Sequence, residues 1–77
     1  MPPNDMAGAT LDARLLDAHA QGDRPALIAL YLEAGETAQT EDAAGFYLTH
    51  AYVFALEAGD RRAPDIKARL VGMGRER

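Results

Sequence analysis

The sequence predicts an all-α domain of four antiparallel helices, arranged as two helix-turn-helix hairpins. Three observations carry that expectation. The 77 residues are rich in Ala and Leu, with 6% aromatic residues and no Trp, so the core must come from small and medium side chains suited to close helix packing. Apolar residues recur at intervals of three and four, and no stretch alternates with the period of a strand. Between the periodic stretches stand residues that stop and start helices: Gly22-Asp23, Thr40 and Gly59-Asp60.

Taken in order, residues 1–9 (MPPNDMAGA) combine two Pro, Asn and Gly without periodicity and are expected to form a disordered leader. Residues 10–74 then make one helical domain, and residues 75–77 a mobile tail. Thr10 is the expected cap of a first helix running from Leu11 to about Gln21, with Leu11, Leu15, Ala18 and His19 toward the core and Leu16 to one side. Gly22 ends it. Asp23 caps a second helix, where Pro25 falls in the first turn and its missing amide costs little. Its stripe is Leu27, Leu30, Tyr31, Ala34 and Ala38, and Gly35 is expected to weaken its last turns.

The third stretch, Asp42 to Gly59, is the most apolar and most strongly periodic. Thr40 caps it, Glu41 and Asp42 suit the positive end of its dipole, and Gly59 stops it. Ala44, Tyr47, Leu48, Ala51, Tyr52, Ala55 and Ala58 form its expected core arc, with Gly45, Val53 and Leu56 as a second row. The fourth helix has two possible starts. Asp60 can cap it as Asp23 caps the second, or Pro64 can open it, because Pro at the fourth helical position would remove an internal hydrogen bond. Ile66, Leu70 and Val71 give it an apolar side, and Gly72 and Gly74 end it.

Composition excludes several kinds of chemistry. Without cysteine there is no disulfide, thiolate nucleophile or cysteine zinc site, and without serine no serine nucleophile. No glycine-rich phosphate loop is present. The N-terminus lacks a signal-peptide pattern and no run approaches the ~20 apolar residues of a membrane span, so a soluble cytoplasmic protein without a membrane partner is expected. Seven Arg against one Lys, with abundant Ala, suggest a GC-rich bacterial genome. Residues 1–60 carry ten acids against two Arg, net −8, whereas residues 61–77 carry six cations against two acids, net +4. An acidic body argues against nucleic acid as partner. The basic end can pair with the acidic surface of another copy or another protein, or serve only as a solvated helix end.

Sliding the chain by 37 residues lays Leu11, Leu15, Ala18, Gly22, Asp23, Arg24 and Ala26 over Leu48, Tyr52, Ala55, Gly59, Asp60, Arg61 and Ala63. The shared string is GDR-x-A. A period of this length is that of a helical array. Ala51-Tyr52, Ala55-Leu56, Gly59 and Ala63 have the spacing of the Sel1-like pattern, and from Leu11 to Val71 the chain resembles the tetratricopeptide and Sel1-like superfamily. The resemblance implies a tetratricopeptide-like right-handed array, with a compact four-helix bundle as the alternative packing. It also implies a scaffold that binds proteins without catalysing a reaction.

Two hairpins are fewer than such arrays usually stack, so the open end is expected to be covered by a second copy, by a partner protein or by an atypical compact four-helix packing. The expected contact surface is Leu16, Phe46, Thr49, His50 and Val53, where Leu16 aligns with Val53 in the repeat. The competing reading makes Phe46 and Val53 core residues under the first or fourth helix. His19 and His50 are too few for a metal site without a carboxylate brought to them, and Tyr31, Tyr47 and Tyr52 sit at packing positions. No catalytic, cofactor-binding or metal-binding residue is assigned. The functional expectation is a small interaction module of the adaptor or scaffold type. A structural homo-oligomer burying the same stripe is the alternative, and a small metal-dependent enzyme using His50 near Glu57 is the more distant one.

Overall fold

A computed structural model describes residues 6–74, with side chains from Leu11 onward. The described residues form four helices and no strand: α1 Met6–Gln21, α2 Arg24–Thr37, α3 Glu41–Ala58 and α4 Ala63–Gly72. The all-α hairpin architecture is therefore as the apolar periodicity requires. Helix α1 starts at Met6, so Thr10 is an interior helical position and not a cap, and helix replaces the expected leader over 6–9. Residues 1–5 and the expected tail at 75–77 lie outside the described residues.

Each later boundary has a local cause. Asp23 Oδ1 accepts the Ala26 N–H at 3.2 Å and opens α2 with Pro25 in its first turn. Thr40 Oγ1 accepts the Ala43 N–H at 3.1 Å and opens α3. Gly59, at φ 63°, closes α3 in the left-handed region, which glycine reaches without a Cβ penalty. Helix α4 takes the later of its two expected starts, with Pro64 in the first turn and no side-chain cap.

Helix α2 packs against α1 on one side and α3 on the other, and α4 packs against α3. The result is a flat body measuring 45 × 28 × 14 Å. One core cluster joins Ile28 of α2 to Leu48, Ala51 and Ala55 of α3 and Ala63, Ile66 and Leu70 of α4. A smaller one joins Ala18 of α1 to Leu27 and Leu30 of α2. Phe54 and Tyr31 touch both clusters. Burial of this kind contributes about 25 cal/mol for each Å2 of apolar surface removed from water, and it is what orders so short a chain.

Some side chains depart from their expected places. Ile28, absent from the expected stripe, is fully buried, because α2 is covered on two faces and the adjacent pair Leu27-Ile28 serves one core each. Gly35 does not fray α2. It is buried where a Cβ would lie 3.2 Å from Leu48 Cγ, so its missing side chain is what lets α3 approach. Ala58 and Val71 are exposed, while Tyr47 and Tyr52 are half-buried at the edge of the arc. Ion pairs Arg14–Glu33, Arg24–Glu57 and Arg69–Glu36 tie neighbouring helices at the surface, where each contributes little.

Candidate functional site

Helix α3 has two unlike sides. Leu48, Ala51 and Ala55 seal against α2 and α4, which fixes the helix in rotation. That fixed rotation leaves Phe46 57% exposed, Val53 45% and Leu56 55%. The residues lie on successive turns of one face, at the 3-4-3 spacing Phe46, Thr49, Val53, Leu56, which is the spacing of a helix seam. Neither α1 nor α4 covers Phe46 or Val53, so the core reading of those two fails. Leu16 is 72% exposed on α1, and its repeat counterpart Val53 is also exposed on α3. The wheel places Leu56 only in a second row beside the core arc. It belongs to the seam, and the spacing from Val53 was the available signal.

Each polar member of the stripe makes one hydrogen bond within the helix. Thr49 Oγ1 donates to the Gly45 carbonyl at 2.8 Å. His50 Nδ1 lies 2.9 Å from the Phe46 carbonyl, which can only accept, so that nitrogen carries the proton. Thr49 can enter a dry contact with its hydroxyl proton already paired, whereas His50 Nε2 is left as an acceptor that calls for a donor. Asp42, Gly45, Phe46, Thr49 and His50 together line a shallow open depression near the N-terminal end of the seam. Leu16 and Val53 stand outside it.

A second feature joins residues that spacing alone left apart. Tyr31 of α2 receives His19 from α1, with Nε2 2.9 Å from the phenol oxygen, and stacks on His50 from α3 at a centroid distance of 5.1 Å. Phe54 stacks on Tyr31 from the far end at 5.8 Å, and Phe46 leans on His50 at 4.4 Å. Burial, and then the neighbouring Tyr47, push the Tyr31 phenol up from its ordinary value, so it keeps its proton and can donate to His19. This ring cluster fastens α1 to the α2–α3 pair. The histidines do not complete a metal site, since no group of three His, Cys, Asp or Glu that could hold an ion occurs among the described residues. Glu57, the expected carboxylate partner of His50, is paired with Arg24 at 3.4 Å.

No helix of the described residues is long and apolar enough to cross a membrane. Comparison with family models, curated proteins and solved structures gives no match.

Proposed function

We propose that this chain is a small non-catalytic protein–protein interaction module of the adaptor or scaffold type. Its contact surface is the exposed face of α3 at Phe46, Thr49, His50 and Val53, extended by Leu56, together with Leu16 on α1. The observation that carries the reading is the exposure of three large apolar residues at seam spacing on a helix whose opposite side is locked into the core. A rigid helix presents such residues without the ordering cost of a loop. The Thr49 hydroxyl, whose proton is already paired within the helix, fits the same role.

The equivalent turns at Gly22-Asp23 and Gly59-Asp60 support a tetratricopeptide- or Sel1-like hairpin array, in which function resides in a helix face. Absence of cysteine suits a cytoplasmic setting. Phe46→Asp combined with Val53→Asp is expected to abolish recovery of stripe-dependent partners from native extract while the helical circular dichroism persists. Recovery equal to that of the natural chain would overturn the reading.

A further inference from the structure

We infer that α1 is a strap that opens as a unit from a body formed by α2, α3 and α4, uncovering the apolar face of α2 beneath it. The two outer helices are held unequally. Helix α4 gives Ala63, Ile66 and Leu70, all buried, to the larger core cluster. Among the described side chains of α1, only Ala18 is buried, while Leu11 and Leu15 are half-buried. Stabilisation follows the apolar surface removed from water, so α1 is the weaker attachment.

Its polar ties lie at the surface. Arg14 pairs with Glu33 at 3.3 Å with both side chains half exposed, so this pair contributes little. His19, itself exposed, reaches the Tyr31 hydroxyl at 2.9 Å and meets the Phe54 ring at 66°, with centroids 5.9 Å apart. His19 is the clasp. Opening it leaves no unpaired polar group buried, since imidazole and phenol both pass to water.

The body does not need α1 in order to stay folded. Asp23 caps α2 from its own side of the turn, its carboxylate accepting the Ala26 N–H and its carbonyl the Leu27 N–H. The larger core cluster draws its buried residues from α2, α3 and α4 alone, and Ile28 stays covered within it. The hinge is the exposed pair Gly22-Asp23. Opening there uncovers Leu27 and Leu30, which are buried with Ala18 while α1 is docked, and the adjoining side of Phe54. A segment attached in this way opens at a lower free energy than the whole chain unfolds.

Native-state amide exchange in low urea tests the strap. In the natural chain, the amides of Leu15 to Ala18 should be at least about tenfold less protected than those of Leu48, Ala51 and Ala55. They should share one urea dependence, above zero and below that of α3. Ile66→Val separates opening from global unfolding, because Ile66 stays buried when α1 leaves. Exchange at α3 should rise about two- to tenfold in that variant while exchange at α1 stays unchanged. His19→Ala removes a contact that is lost in the open and the unfolded form alike, so both helices should exchange faster by the same factor. An unchanged rate at α1 in His19→Ala would overturn the clasp. Equal protection of α1 and α3, or an equal rise at both in Ile66→Val, would overturn the strap, since α1 would then leave only with global unfolding. Exchange at α1 without urea dependence would also overturn it, since that reads single turns fraying and not the release of a unit.

Discussion

The two hairpin turns carry the same string and make the same stop, but they restart their helices differently. After α1, the Gly22 N–H bonds to the His19 carbonyl at 3.2 Å and the Asp23 N–H to the Ala18 carbonyl at 3.0 Å. After α3, Gly59 and Asp60 repeat this on the Leu56 and Ala55 carbonyls at 3.1 and 2.8 Å, and the two glycines share φ values of 64° and 63°. Beyond the aspartate the resemblance ends. Asp23 caps α2, and its carbonyl takes the first helical bond from the Leu27 N–H at 3.0 Å. The equivalent donor after Asp60 would be Pro64, which has none. The chain instead makes a turn, with the Ala63 N–H on the Asp60 carbonyl at 3.1 Å, and α4 begins at Ala63. Asp60, relieved of capping, turns its carboxylate to the Arg62 N–H at 2.8 Å and guanidinium at 2.9 and 3.0 Å. One proline position converts a cap into a clamp.

That contrast can be pressed from its strongest element to its weakest. Gly22→Ala and Gly59→Ala should each cost about 1–2 kcal/mol, because both need the left-handed conformation and an added Cβ meets nothing within 4 Å at either site. Urea midpoints that differ widely between the two would show that the stops are not equivalent. Asp23→Ala should cost about 1 kcal/mol through loss of the cap, read in the same titration. Pro64→Ala should restore the missing donor and move the start of α4 toward Arg61. Stability would change by only about 0.5 kcal/mol, since the regained bond offsets the greater freedom of the unfolded chain. Amide exchange at residue 64 of that variant reads the new bond directly.

The smallest effect is one of pH. The Arg62 guanidinium, and then its backbone N–H, pull the Asp60 carboxyl from 3.8 down to about 2. A group lowered in the folded state stabilises the fold above its unfolded pKa and loses that contribution as pH falls through the folded one. The clamp should therefore hold fully above about pH 4 and weaken between there and about pH 2. Asp60→Asn should flatten the urea midpoint across that window relative to the natural chain. An unchanged slope would mean that the clamp contributes nothing to folding.

How much of this was legible depended on range. Caps, stops and the helical class are local chemistry, so Asp23, Thr40, Gly22 and Gly59 could be placed from their neighbours alone. The outward set Leu16, Phe46 and Val53 was legible because a helix wheel separates faces. What a wheel does not give is which helix comes to which face. Hence Ile28, Phe54 and the convergence of His19 and His50 on Tyr31 were missed, although each depends on contacts among three helices. Gly35 was misread for the same reason: propensity marks it as a weakness, and only the approach of Leu48 makes it a requirement.

The most direct test of the central claim, that α3 turns a locked side to the core and an unpartnered apolar side outward, is urea unfolding of Phe46→Asp/Val53→Asp beside Leu70→Ala. It should be run at protein concentrations below self-association. The double variant should unfold within about 1 kcal/mol of the natural chain, since both substitutions fall on exposed positions. Leu70→Ala, at a fully buried position, should lose about 2–5 kcal/mol. A double variant as unstable as Leu70→Ala would place Phe46 and Val53 in the core and remove the proposed surface.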